Sequence, residues 1–66
     1  MYQIELEFRY FKEFQESYIN DWASFYGVKV LKGMLYIFRC SSESSLYSFL
    51  KRLGLEDKAS QIRRLR

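Results

Sequence analysis

The chain has 66 residues, 20% of them aromatic, with one cysteine, no histidine, no proline and a net charge of +3. The length predicts a single domain over residues 1–66. The lone Cys40 excludes an internal disulfide, and the lack of histidine excludes Ser–His and Cys–His nucleophilic pairs and disfavours a zinc site. Residues 1–27 carry two basic and five acidic groups, whereas residues 28–66 carry nine basic and three acidic groups.

The first twenty-seven residues predict a strand followed by a helix. Residues 2–10 alternate between apolar and polar side chains, which is typical of a half-buried strand. From Phe11 the period becomes helical, and Gly27 provides a helix end. The helix carries an aromatic stripe that we expect to face the core, made of Phe11, Phe14, Tyr18, Trp22 and Phe25.

Residues 28–40 predict a β-hairpin with strands Val28–Leu31 and Met34–Cys40 around the turn Lys32-Gly33. In this register Leu31 lies opposite Met34. Cross-strand partners share a face, so one face is aliphatic and suits the core; it consists of Val28, Val30, Leu35 and Ile37. The other face carries Lys29, Leu31, Met34, Tyr36 and Phe38. A one-residue change of register would exchange the two faces.

A second helix and a short third helix follow the hairpin. Ser41 or Ser42 is a suitable N-cap for the second helix. Its apolar stripe consists of Leu46, Phe49, Leu50 and Leu53. Gly54, with Leu55 after it and Leu50 before it, predicts a Schellman motif at the end of this helix. The third helix is predicted from Glu56 or Asp57 to the basic end of the chain.

The predicted order is strand, helix, strand, strand, helix, short helix, which indicates an α+β mini-domain of βαββα(α) organisation. A right-handed crossover would place the helices on one face of a three-stranded antiparallel sheet, with the first strand at an edge. This architecture resembles a ferredoxin-like fold that lacks its last strand. A fold by itself does not determine function.

The leading functional hypothesis is a small non-enzymatic protein-binding module. If the helices cover only one face of the sheet, four large apolar residues lie uncovered on the other and are typical of an interaction surface; they are Leu31, Met34, Tyr36 and Phe38. The edge of the first strand would also be open to β-augmentation or to a homodimer. Adaptors and inhibitors encoded by viruses or mobile elements are often chains of this size.

The alternative is a nucleic-acid-binding or regulatory protein. Residues 51–66 carry six basic groups against Glu56 and Asp57, namely Lys51, Arg52, Lys58, Arg63, Arg64 and Arg66. Residues 32–39 resemble the third-strand signature of the RNA-recognition motif, but Met34 and Arg39 stand where that family places stacking aromatics. Residues 46–65 resemble a helix-turn-helix around Gly54, with Arg63 at a position that family keeps apolar.

Other classes are disfavoured. The carboxylate pairs Glu13–Glu16 and Glu56–Asp57 are predicted to be exposed, and Cys40 has no histidine partner, so we expect no enzyme, no small-molecule substrate, no metal and no cofactor. The longest apolar run, Met34–Phe38, is too short for a membrane span. A free cysteine, and acidic residues among the first ten positions in place of a secretory signal, predict a cytoplasmic protein.

Overall fold

The computed structural model describes residues 1–66. Four strands, two α-helices and two short 3-10 helices follow one another along the chain. Their order is β1 (Tyr2–Leu6), a first 3-10 helix (Phe8–Phe11), α1 (Glu16–Tyr26), β2 (Lys29–Lys32), β3 (Tyr36–Cys40), α2 (Glu43–Arg52), a second 3-10 helix (Glu56–Gln61) and β4 (Arg63–Arg64). The strands form one antiparallel sheet with the helices on one side, as the sequence predicts, but there are four strands rather than three.

The sheet has the order β2-β3-β1-β4. The fourth strand pairs Arg63 with Gln3 and Arg64 with Tyr2. The amide of Leu65 extends this pairing by donating to the carbonyl of Met1 at 2.8 Å. The predictions of a helical C-terminus and of β1 as a sheet edge are therefore wrong. A two-residue strand is held by backbone hydrogen bonds and has too few side chains to produce a periodic pattern.

Strand β1 ends earlier than the alternating pattern indicates. Leu6 lies opposite Tyr36, the first residue of β3, so the residues beyond Leu6 have no partner strand to pair with. The chain turns instead into the first 3-10 helix, which places Phe11 in the core, and α1 begins only at Glu16. The alternation from residue 2 to residue 10 therefore predicts the strand correctly but overestimates its length.

The hairpin has a different register from the predicted one. Lys32 lies opposite Tyr36 and Val30 opposite Phe38, so three residues, Gly33 to Leu35, form the loop. Compared with the predicted pairing to β2, strand β3 is shifted by three residues, because Leu31 lies opposite Ile37 and not opposite Met34. A shift by an odd number of residues turns the face predicted to be uncovered toward the core. Tyr36 and Phe38 are only 5% and 0% exposed, so their predicted position on the uncovered face is wrong.

Strand β1 explains why this register is preferred. It places Ile4 opposite Phe38 and Leu6 opposite Tyr36, and all four side chains are buried. The Phe38 ring lies 5.0 Å from the ring of Phe49 on α2, at the centre of the core. Burying two aromatic rings removes more apolar area from water than burying the aliphatic residues of the opposite face. Of the four aliphatic residues predicted for the core face, Val28 and Val30 point inward, while Leu35 and Ile37 are only half-buried and lie outside the core cluster.

The helix ends follow the local sequence. The Ser42 hydroxyl accepts a hydrogen bond from the Ser45 amide at 3.3 Å, which confirms it as the N-cap of α2. Gly27 and Gly54 adopt φ values of 71° and 74° after α1 and α2. The amide of Leu55 donates to the Leu50 carbonyl at 2.8 Å, which confirms the predicted Schellman motif.

Candidate functional site

The helix α1 turns a different face to the core from the one its aromatic spacing predicts. Only Ile19 and Ala23 are buried within α1. These two residues are one helical turn apart, and the small Ala23 side chain allows the helix to lie close to the layer beneath it. The apolar side of α1 is therefore wider than the part that the core covers. An Ile–Ala pair at this spacing is the sequence signal that could have identified the inward face.

The aromatic residues lie along one flank of α1 and the segment that precedes it. Phe11 is buried, although it belongs to the first 3-10 helix, and Phe14 and Trp22 are half-buried. Tyr18 is 41% exposed and Phe25 is 73% exposed. The prediction that the whole stripe faces the core is therefore wrong. The outer part of the stripe is a surface feature of the molecule.

Two exposed and two half-buried aromatic residues form a continuous surface, which we call the aromatic ridge and define as Phe14, Tyr18, Trp22 and Phe25. The rings of Phe14 and Tyr18 stack at 5.5 Å with an interplanar angle of 15°. Tyr18 contacts Trp22 edge-on at 6.3 Å, and Trp22 contacts Phe25 edge-on at 5.5 Å. Offset-stacked and edge-on pairs are the favourable geometries for aromatic rings, so the ridge is an ordered surface.

The C-terminal end of α2 borders the aromatic ridge. The guanidinium carbon of Arg52 lies 4.0 Å from the centroid of the Trp22 ring, and Tyr26 links Trp22 to the core through Phe49. A shallow depression beside this contact is lined by Tyr26, Ser48, Lys51 and Arg52. Cations at this end of a helix are stabilised by its dipole, which explains why two basic residues stand here. The ridge therefore has a cationic border on one side.

Acidic side chains border the ridge elsewhere. Asp21 is exposed on α1 between Tyr18 and Phe25 in sequence. Glu13 lines a second shallow depression together with Phe14, Gln15 and Tyr18. The surroundings of the ridge therefore contain both signs of charge, in contrast to the uniformly basic surface that binds phosphate groups.

The residues predicted as a docking surface are not brought together. Tyr36 and Phe38 lie in the core. Leu31 is half-exposed on the uncovered side of the sheet, opposite Ile37, and Met34 projects from the hairpin loop with 94% of its surface exposed. The four residues therefore do not form one patch, and this follows from the register of β3.

The six basic residues of the nucleic-acid hypothesis are also dispersed. Arg52 lies over Trp22, and Lys51 stands beside it on α2. Lys58 lies over the ring of Tyr10 at 4.3 Å and 4.0 Å from the Asp57 carboxylate. Arg63 pairs with Glu5 at 2.8 Å on β1. Arg64 belongs to β4 and Arg66 is the last residue, and both are exposed. The residues thus occupy several separate places.

The two side chains with shifted pKa values, Lys32 and Tyr47, do not lie together in a cleft. The hydrogen bond and charge of Glu16, 3.1 Å from the Lys32 ammonium, raise the pKa of Lys32. The hydrogen bond from the Tyr47 hydroxyl to Glu56, at 2.8 Å, raises the pKa of Tyr47. Both side chains are exposed and lie outside the ridge. The Cys40 thiol is buried and donates to the Tyr26 carbonyl at 3.9 Å. No three His, Cys, Asp or Glu residues cluster as metal ligands would.

The comparisons with known proteins give no family assignment. The chain matches no protein-family model, no curated protein and no solved structure. Neither of the two α-helices has the length and apolar composition needed to cross a membrane.

Proposed function

We propose that this protein is a small non-enzymatic protein-binding module that docks on its partner through the aromatic ridge and Arg52. The observation that carries the proposal is the unbroken series of ring contacts from Phe14 to Phe25, with Phe25 73% exposed at its end. The module acts by occupying a surface of its partner, as an adaptor or inhibitor, and it requires no cofactor, metal or small-molecule substrate.

The residue types of the ridge support a protein partner. Trp, Tyr and Arg are the types most enriched among the side chains that dominate binding energy at protein interfaces. Trp22, Tyr18 and Arg52 supply all three within one contact series. Full burial of an exposed ring such as that of Phe25 is worth about 1.5–3 kcal/mol, so Phe25 is the ridge residue with the most binding energy to contribute.

The charged residues around the aromatic ridge favour a protein partner over nucleic acid. A sequence-independent nucleic-acid surface combines aromatic rings with a cationic groove along the phosphate backbone. Here the rings are bordered by Arg52 and Lys51 on one side and by Asp21 and Glu13 elsewhere. Carboxylates repel phosphates, whereas a protein surface of mixed charge matches both signs.

We further infer that the fold is a ferredoxin-like arrangement with a shortened last strand. Support comes from the order β1, α1, β2, β3, α2, β4, and from the position of β3 between two strands that run parallel to each other, β1 and β2. This inference concerns architecture and does not bear on the partner.

The test compares two exposed apolar residues. Phe25→Ser removes the most exposed ring of the ridge, and Met34→Ser is the matched control because Met34 is exposed in the hairpin loop and is not a ridge residue. Each variant is used as bait in extract from the native host, with and without nuclease. The proposal predicts a protein retained by the parent and by Met34→Ser and lost with Phe25→Ser.

Two results would contradict the proposal. Equal retention of every protein by Phe25→Ser and by the parent would exclude the aromatic ridge as the docking surface. Loss of all retained material on nuclease treatment would assign the protein to nucleic-acid binding. Light scattering of the parent and Phe25→Ser tests a second copy as partner, because a ridge-mediated dimer would become a monomer in the variant.

A further inference from the structure

The side of the sheet that the helices leave uncovered carries an ordered row of polar side chains. Lys29 lies opposite Arg39, Arg39 opposite Gln3, and Gln3 opposite Arg63. Directly opposed residues share a face, so these four residues form one row across all four strands. We call it the cationic row, because three of its four members carry positive charge.

A single carboxylate accompanies the cationic row. Glu5 accepts hydrogen bonds from Arg63 and from the Gln3 side-chain amide, both at 2.8 Å. The carbonyl oxygen of Gln3 accepts a hydrogen bond from the Arg39 Nε, and Gln3 is 5% exposed. Both ends of the Gln3 side chain are therefore satisfied, and the network fixes the neighbouring Arg39 and Glu5.

Positive charge at the other end of the row is not compensated. Lys29 and Arg39 lie directly opposite each other, and neither has a carboxylate within 4.0 Å. Like charges in directly opposed positions destabilise a sheet. An external carboxylate paired with Lys29 would offset this repulsion, so the structure favours an acidic ligand at this point.

The next row contains the aliphatic pair Leu31 and Ile37, which lie opposite each other and are half-exposed. Leu31 is two residues from Lys29, so both side chains point to the same face of β2. The strand residues on this face include no aromatic ring on which a nucleic-acid base could stack. An acidic segment that also carries an aliphatic side chain matches the face better than a phosphate backbone does.

Strand β2 also offers an open edge. It is one of the two outer strands of the sheet and pairs only with β3. Its first and last residues are Lys29 and Lys32, and edge lysines discourage pairing between identical copies. Lys32 already pairs with Glu16 at 3.1 Å, so Lys29 is the edge lysine whose charge is free to attract an acidic strand.

We propose that β2 binds an acidic extended segment of a partner protein by β-augmentation. The segment carries an acidic and an aliphatic residue two positions apart, with its carboxylate beside Lys29 and its aliphatic side chain beside Leu31. The side chains of the added strand alternate in the same way as those of β2, which is why the two positions are separated by one residue. This site lies on the opposite side of the sheet from the helices and is independent of the aromatic ridge.

The experiment uses a labelled peptide of sequence ETVTETV, with QTVTQTV as the uncharged control and an oligonucleotide of ten deoxythymidines as a nucleic-acid probe. Fluorescence anisotropy measures the affinity of each probe for the full chain at low ionic strength. Amide chemical shifts locate the binding site. The proposal predicts shifts within Lys29–Lys32 and Tyr36–Cys40, and tighter binding of the acidic peptide than of either other probe.

Substitutions test the role of the cations. Lys29→Gln should weaken binding of the acidic peptide by about two- to fivefold, the range for one exposed ion pair, whereas Lys12→Gln, an exposed lysine outside the sheet, should leave it unchanged. Lys29→Glu should reverse the preference in favour of the peptide KTVTKTV, which distinguishes a direct contact from a loss of stability.

The proposal is overturned if the acidic and uncharged peptides bind equally, if no binding occurs, or if the shifts map outside β2 and β3. Equal weakening by Lys29→Gln and Lys12→Gln would also overturn it, because it would indicate a general effect of net charge. Tighter binding of the oligonucleotide than of the acidic peptide would assign this face to nucleic acid instead.

Discussion

The guanidinium carbon of Arg52 lies 4.0 Å from the centre of the Trp22 ring and connects the end of α2 to the flank of α1. This contact orders the middle of the aromatic ridge, because Trp22 touches both Tyr18 and Phe25. It therefore joins two parts of the chain that are thirty residues apart into one surface. A ring held in this way is preorganised for binding, which reduces the entropy lost on association.

Replacement of Arg52 by Met should loosen the Trp22 ring. An exposed cation–π contact is worth about 0.5–1 kcal/mol, so we expect the free energy of unfolding to fall by roughly that amount. Trp22 is the only tryptophan, so acrylamide quenching of fluorescence reports on this ring alone, and quenching should increase. Lys51→Met is the control, because Lys51 lies over no ring. Unchanged quenching in Arg52→Met would show that the contact does not order Trp22.

The register of β3 is tested by two neighbouring residues that point to opposite faces. Phe38→Ala removes a fully buried ring and should cost about 3–5 kcal/mol, a large part of the roughly 3–10 kcal/mol expected for a domain of this length. Ile37→Ala should cost about 1 kcal/mol, because Ile37 is half-exposed. Urea unfolding measures both. The register predicted from the sequence alone places Ile37 in the core and Phe38 outside it, so it requires Ile37→Ala to cost more than Phe38→Ala.

Stability should decline at alkaline pH. The pKa of Lys32 and the pKa of Tyr47 are raised in the folded state, from ordinary values of 10.5 and 10.0. A raised folded-state pKa gives a contribution that is complete below the ordinary value and is lost as the pH rises through the folded-state value. The Tm measured from pH 9 upward should therefore fall above about pH 10.

The matched variants for this alkaline decline are Lys32→Gln and Tyr47→Phe, which remove the two titrating groups without removing their carboxylate partners. The double variant should show a shallower loss of Tm with rising pH than the parent. An identical slope in both proteins would mean that other groups cause the decline. Lys29→Gln serves as the control for general loss of a lysine charge, because Lys29 has no carboxylate partner within 4.0 Å.

The N-cap of α2 provides a test of local stability. Ser42→Ala removes the acceptor for the Ser45 amide and should lower the free energy of unfolding by about 1 kcal/mol. The neighbouring Ser41 is exposed and lies outside the helix, so Ser41→Ala should have little effect. Urea unfolding followed by far-UV circular dichroism distinguishes them. A similar loss in both variants would indicate that the serine cluster, rather than the cap, stabilises this segment.

The sequence by itself determined the features that depend on contacts between near neighbours in the chain. The Ser42 cap, the positive φ angles of Gly27 and Gly54, and the Schellman hydrogen bond of Leu55 each involve groups a few residues apart. The choice of side chain at one position is then enough to decide the backbone conformation. The two α-helices and the two strands of the hairpin could be predicted for the same reason, from hydrophobic periods within single segments. Their assembly into an antiparallel α+β sheet followed from the order of these segments and the right-handed crossover rule.

Only the tertiary structure decided which faces are buried. Both faces of β3 carry at least one large apolar residue, Ile37 on one and Tyr36 and Phe38 on the other, and the position of Ile4 and Leu6 on β1 selects the face with Tyr36 and Phe38. On α1 more apolar residues share one side than the core can cover, so Ile19 and Ala23 are buried and Phe25 remains exposed. Burial of an apolar face depends on how much apolar area distant segments offer to cover it. For this reason the candidate docking surface lies on the flank of α1 and not on the sheet face predicted from the sequence. The unusual aromatic content of the chain therefore serves the core at Phe38 and the surface at Phe25.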